Sequence, residues 1–360
     1  MAAPASAGLG AGLLSAVLFG CSAPLIGVLS GAASPLAVAS LLYGGASLAL
    51  LLVRRCRPGR ADETPVLRRD MPALLALTLL GGIVGPLCLV MGLNLLSGAA
   101  ASLLLNLEAV FTMLIAVAVG REHLGGRGVG AAALIVAGAV VLSEGSLRGA
   151  TPQGALLIAA ATLAWGLDNN LSQRLSLRDP LQIALLKSLG ASLPMLLLAI
   201  GLDQPFPPFP SIAALLLIGA LGYGISIWLD LLALRALGAA REAVVFSIAP
   251  FVGALFAVAV LREPLTATLL VAAPLMAAGL VLLQHEDHAH LHRHQEMWHS
   301  HRHFHAPHGG GDPHHRHPHS AEDLAGIDPT RPFWHAHEHH HLPMEHAHPH
   351  VSDAHHRHRH

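Results

Sequence analysis

Two kinds of residue in this 360-residue chain could do chemistry. The first are ionisable or amide side chains set inside long apolar runs: Glu108 with Asn106 two positions earlier, the consecutive Asp168, Asn169 and Asn170, then Lys187 and Asp230. A charge in such a run costs on the order of 3 kcal/mol in lipid unless it is paired or wetted, so each is a functional candidate by default. The second kind are histidines. Of 27, only His123 precedes residue 285, which leaves 26 in residues 285–360.

Other chemistries lack their residues. There is no phosphate-cradling GxxxxGK[ST] loop, no GxSxG, no HExxH and no nucleophile–base pairing, so no enzyme is expected. Cys21, Cys56 and Cys88 are far apart and form no CxxC pair; they read as small packing residues rather than a disulfide framework or thiolate metal site. A formal net charge of −1 gives no reason to expect nucleic acid as a partner.

The elements that must position these residues are helices in lipid. Hydrophobic residues make up 53% and charged residues 12% of the chain, about half the charge of an ordinary soluble domain. Runs of about 20 apolar residues, long enough to cross a bilayer, occur near 9–29, 35–53, 72–93, 98–119, 127–143, 152–173, 180–201, 211–234, 239–260 and 265–284. The first lacks the basic n-region of a secretory signal and reads as a retained span. Gly, Ala and Ser throughout suit close helix approach.

Basic residues orient the spans. Arg54, Arg55, Arg57, Arg60, Arg68 and Arg69 follow span two, Arg121 and Arg127 span four, Arg174 and Arg178 span six, and Arg235 and Arg241 span eight. The opposite loops hold Arg148 and Arg262. Twelve against two places the first side, and both termini, in the cytoplasm.

Residues 97–142 and 237–283 echo each other. A shift of 141 superposes Arg121-Glu122 on Arg262-Glu263, and Ala109 on Pro250. Each half carries an aromatic-Gly step in its first helix, Phe19-Gly20 and Trp165-Gly166. Five spans per half is odd, so the second copy enters the membrane inverted; such repeats place a site near the midplane.

On the paired "GREHL" and "LREPL" helix ends, the "WGLDNN" step and the five-plus-five layout, residues 9–284 resemble the EamA-type transporters of the drug/metabolite transporter superfamily. The resemblance implies an all-α polytopic fold in the inner (plasma) membrane: ten helices as two inverted repeats, 9–143 and 152–284. It also implies secondary transport, commonly export of amino acids, metabolites or drugs, with the bilayer and a small molecule as partners. The chain departs from symmetry at Ala109, where the second copy has Pro250, and at Glu108 just before it.

Helical rise sets the depths. Glu108 lies about ten residues into span four, roughly 15 Å deep, and the Asp168 cluster about 6–9 Å from the cytoplasmic end of span six. Lys187 reaches a comparable level on the neighbouring antiparallel span, so it and Asp168 form either a static pair or a binding or gating pair. An apolar site penalises a carboxylate, so Glu108 either exchanges a proton or meets a substrate amine, or stays protonated and bonded to a neighbouring helix. Glu122 and Arg121, Glu263 and Arg262, and Asp230 near its rim read as helix-end or gating residues. Asn94 reads as a helix-packing hydrogen bond, and Met91 and Met113 as packing. Aromatic residues, at 4%, disfavour a pocket that stacks planar drugs.

Residues 285–360 hold ten acidic residues against six arginines and too little apolar surface to fold alone, so they read as a disordered tail. Their imidazoles suit Zn, Ni, Co or Cu. The metal-ligand candidates are His285, His288, His290, His292, His294, His299, His301, His303 and His305; then His314, His315, His317 and His319; then His335, His337, His339, His340, His341, His346, His348 and His350; and finally His355, His356, His358 and His360. Where they alternate, as in "HEDHAHLHRH", His at i and i+2 share one side of an extended chain. No cofactor is required. The tail senses or delivers metal, docks on anionic lipid when protonated, or is functionally minor.

Three functions stay open: a proton-coupled exporter of a small polar metabolite or drug; a divalent-metal transporter fed by the tail; and a metal sensor on a membrane scaffold. Against the second, the spans contain no His, Cys or Met cluster.

Overall fold

The computed structural model describes residues 3–56, 65–120, 126–144, 152–172, 175, 178–237, 242, 245–284, 289–294, 297–305, 333–341 and 344–349. Up to Gln284 the elements are helical. In lipid each backbone N–H and C=O must find its partner within the segment, and a helix provides that.

The first half comprises α1 (Ala3–Ser30), α2 (Pro35–Arg55), α3 (Met71–Leu77), α4 (Gly85–Leu93), α5 (Gly98–Leu104), α6 (Leu107–Gly120) and α7 (Gly126–Glu144). The second comprises α8 (Pro152–Ser172), α9 (Pro180–Gly201), α10 (Phe209–Ile218), α11 (Ser226–Leu237), α12 (Ala249–Ala259) and α13 (Ala267–Gln284). Starts carry local signals: Ser34 accepts from the Ala37 N–H at 3.1 Å ahead of Pro35, and the Asp179 carboxylate accepts from the Leu181 N–H at 2.9 Å ahead of Pro180.

Among the described residues, seven helical stretches are long and apolar enough to cross a membrane, and Ala249–Ala259 and Ala267–Leu283 are shorter apolar helices. The 21-residue α8 carries Asp168, Asn169 and Asn170 near its end. Large apolar side chains face outward, among them Phe209, Leu156, Leu197 and Leu255. Water would penalise so much exposed apolar surface; lipid does not.

Two irregularities recur in register. A π turn, Thr78–Val84, joins α3 to α4, and its counterpart 141 residues on, Gly219–Ile225, joins α10 to α11. Span four breaks between α5 and α6, where the Asn106 N–H donates to the Leu103 carbonyl at 3.1 Å and the Glu108 N–H to the Leu105 carbonyl at 3.0 Å. Span nine breaks just before α12, where the Phe251 N–H donates to the Ile248 carbonyl at 3.0 Å.

The packing is unchanged when the halves are exchanged. α1 lies on α11 and α12, α8 on α4 and α6, α2 on α9, and α7 on α13. The aromatic-Gly steps explain the closest of these contacts. A Cβ on Gly20 would collide with the Ala249 carbonyl of α12, and one on Gly166 would stand 3.0 Å from the Thr112 nitrogen of α6. Glycine therefore lets each half's first helix approach the broken span of the other.

Beyond Gln284 the sequence predicts no secondary structure, and here the structure differs. Ala289–His294 (β1) pairs antiparallel with Met344–Pro349 (β4), and Met297–His305 (β2) with Phe333–His341 (β3). The alternation of His with other residues suits a pleated strand as well as an extended coil.

Candidate functional site

The break in span four puts Glu108 in the first turn of α6, facing α8 of the other half. The Asn169 amide donates to Glu108 Oε1 at 2.8 Å. At the adjacent Asp168, Lys187 Nζ of α9 lies 2.5 Å from Oδ2. This is the juxtaposition expected from depth, and Lys187 is the only lysine in the chain. The side chains are 16% and 9% exposed, so the two charges neutralise each other largely out of solvent. Asp168 Oδ1 is left buried without a hydrogen bond.

Asn170 has a different task. Its amide donates to the Thr112 carbonyl at 3.1 Å and the Gly166 carbonyl at 2.9 Å, which ties α8 to α6. Asn106 turns away from Glu108: its amide donates to the Leu103 carbonyl at 2.8 Å and faces Met276 Sδ at 3.8 Å.

Asp230 departs from its expected place at a rim. It is half-buried within α11, its Oδ1 has no hydrogen-bond partner, and its carboxyl interacts with that of Glu242. Glu242 lies inside the span expected near 239–260, beside Arg241 at its cytoplasmic end, and is not among the residues the sequence singles out. The repeat register held the signal: a shift of 141 superposes it on Ala101, which is inside α5.

Aromatic residues are scarce but gathered. Phe19 lies with its ring centroid 6.3 Å from Trp165, 5.9 Å from Tyr223 and 5.4 Å from Phe246, and Tyr43 is 5.6 Å from Tyr223. Both tyrosines of the chain are in this layer. The Tyr43 hydroxyl and the Trp165 indole N–H donate to one acceptor, the Gly81 carbonyl, at 2.8 and 3.1 Å. Gly81 lies in the first π turn, and the residue five positions on, which would donate to its carbonyl in that turn, is Pro86, which has no N–H. Composition held no sign of this clustering, which needs five helical segments to converge.

The cluster is asymmetric along the bundle axis. Trp165 precedes Asp168 by one turn of α8, so the aromatic layer is on the Pro152 side and the charged groups on the Ser172 side. At the Ser172 end Arg178 Nε meets Asp70 Oδ2 at 2.6 Å, and the Val66 N–H donates to Gln182 Oε1 at 2.8 Å. At the opposite end Glu263 accepts from the Gly98 and Ala99 N–H groups at 2.8 and 2.9 Å, as a carboxylate cap on α5. Arg262 beside it adopts φ +58°. Asn94, expected between helices, is the exposed C-cap of α4. Arg121 and Glu122 lie outside the described residues, as do His285, His288, His314, His315, His317, His319, His350, His355, His356, His358 and His360. Among the described residues no group of three or more His, Cys, Asp or Glu is arranged to hold a metal ion.

Comparison with known proteins agrees with this architecture. The model of the EamA-like transporter family matches residues 6–144 and again 152–284. An uncharacterized transporter of Methanothermobacter thermautotrophicus is 29% identical over 290 residues, covering 75% of this chain and 84% of that protein. One solved crystal structure superposes with a TM-score of 0.59 at 21% identity, over 77% of this chain and 97% of the other, and shows a shared fold. A double match, a transporter relative and an inverted five-plus-five helix bundle place the polar cluster inside a membrane transporter: the chain belongs to the EamA-like transporter family.

Proposed function

We propose that this transporter is a secondary-active, proton-coupled exporter of a small polar metabolite or drug, and that Glu108 is its exchange site. The hydrogen bond from Asn169 to Glu108 carries this reading, because it links a carboxylate on the broken helix of one repeat to the first helix of the other. Rocking of one half against the other must make or break that bond. Asp230 and Glu242 add two further carboxyls close by, and Asp168–Lys187 a balanced ion pair. Four carboxyls against one ammonium favour a cargo bearing an amine or another cationic group.

The direction follows from asymmetry. The aromatic layer and the Glu263 cap close the Pro152 side, whereas Asn169 is exposed and Glu108, Lys187, Asp230 and Glu242 are half-buried on the Ser172 side. By its arginine-rich loops the Ser172 side is cytoplasmic, which gives a cytoplasm-facing site and both termini in the cytoplasm.

Purified protein in vesicles, loaded with single amino acids and cationic drugs under an imposed pH gradient, tests the reading. Gradient-driven cargo flux with counter-movement of protons is expected, and Glu108→Gln should leave any residual flux independent of pH. Cargo flux by Glu108→Gln with the wild-type pH profile would remove Glu108 from coupling; flux of Zn or Ni in place of organic cargo would favour a metal transporter.

A further inference from the structure

Trp165, Asp168 and Asn169 are spaced i, i+3 and i+4 on α8 and so share one face of that helix. Side-chain donors around this face are already committed. The Asn169 amide serves Glu108, and the Trp165 N–H and Tyr43 hydroxyl serve the Gly81 carbonyl. One acceptor is left over. Lys187 takes Asp168 Oδ2, while Oδ1 of the same carboxyl, on a side chain 9% exposed, has no partner. A buried acceptor without a donor carries its full desolvation cost.

The other half of the molecule supplies a control. Aligned on the aromatic-Gly steps Phe19-Gly20 and Trp165-Gly166, Ser22 of α1 is the twin of Asp168. Both stand in the same niche. A Cβ on Gly81 of the first π turn would collide with the Asp168 carboxyl, and one on Gly222, its twin in the second, would lie 2.8 Å from Ser22 Cβ. Ser22 is also buried, yet its hydroxyl donates to the Phe19 carbonyl at 2.6 Å within its own helix. Aligned on the helix starts Ser34-Pro35 and Asp179-Pro180, the twin of Lys187 is Leu42, which is fully buried. The niche thus packs with an internally satisfied serine, and its partner position with a leucine. The fold requires neither the carboxylate nor the ammonium, and a buried ion pair is a poor source of stability beside apolar packing.

A carboxylate oxygen accepts only, and Glu108, Asp230 and Glu242 around it favour positive charge. A cation bearing N–H groups meets both demands; a quaternary ammonium meets only the second. We propose that Asp168 Oδ1 anchors a primary ammonium group of the cargo and thereby selects N–H-bearing over quaternary cations. Lys187 is a positioning residue: it holds the carboxyl through Oδ2 and leaves Oδ1 to the cargo. This rests on the cationic cargo proposed for the Glu108 site and adds which cations that site takes.

Titration calorimetry of the purified full-length protein in nanodiscs at neutral pH, with butylamine against butyltrimethylammonium, tests this. The probes share chain and charge and differ in their N–H groups. Butylamine should bind about tenfold or more tightly than the quaternary probe, as a charge-assisted hydrogen bond requires. Asp168→Ser with Lys187→Leu installs the twin residues, so it should unfold as cooperatively as the wild type yet lose the preference. Asp168→Asn with Lys187→Met, a second neutral version, should behave alike. Glu108→Gln should keep the preference, because the anchor is Asp168. Equal binding of the two probes, binding of neither, or a preference that survives in both double variants would each overturn the proposal. Proton coupling at Glu108 is read separately, from the pH dependence of flux, and does not fall with it.

Discussion

The Asn169 amide and the Glu108 carboxyl, from opposite repeats, meet at 2.8 Å where span four is broken. The N-terminal end of α6 carries the positive end of its helix dipole, which favours negative charge, and Asn169 adds a donor from across the pseudo-symmetry axis. Asn169→Ala removes that donor but keeps the acid. It should lower transport several-fold and move its pH profile, while Glu108→Gln flattens the profile. Flux measured over a pH series in vesicles distinguishes the two.

Removal of one member of the Asp168–Lys187 pair strands the other. Lys187→Met should destabilise the folded protein by about 3–5 kcal/mol, the usual cost of an uncompensated buried charge. Lys187→Met with Asp168→Asn should recover much of this. Thermal unfolding in detergent reads both, and equal losses in the single and double variants would count against a paired role.

Gly81 supports the same aspartate. A Cβ there would collide with the Asp168 carboxyl, while the Gly81 carbonyl accepts from Tyr43 and Trp165. Gly81→Ala should therefore cost about 1–3 kcal/mol by overpacking and should also reduce transport. Gly126→Ala, where a Cβ meets nothing within 4 Å, is the neutral control.

Glu263 accepts from two N–H groups at the start of α5. Glu263→Ala should cost about 1–2 kcal/mol through loss of the cap. On the proposed reading the cap closes the Pro152 end, so the variant should also leak cargo without a proton gradient. Passive efflux from loaded vesicles measures that leak.

Metal binding by the histidine-rich tail, expected from its composition, would have a definite pH sign. The ligand is neutral imidazole, so acidification through about pH 6.5 protonates it and releases metal. Zn affinity of the full-length protein should fall steadily between pH 7.5 and pH 5.5, by competition titration at each pH.

Composition and repetition, read from the sequence, determined most of the architecture. Apolar length required helices, the shift of 141 pointed to two related halves, and the cost of charge in lipid singled out Glu108, Asp168 and Lys187. Helical rise even placed the last two at one depth, because depth along a span is a one-dimensional quantity. What required tertiary structure was everything set by rotation and convergence. Asn106 turned away and Asn169 turned in, and only the helix break decides that. Glu242 joined Asp230 because α11 and the start of span nine meet in space. Five scattered aromatics became one layer by the same convergence. In the tail, alternation suited an extended chain, but only the pairing register set which residues stand opposite each other. A sequence states the period of each element; only packing sets the phase between elements, and the site is made of phases.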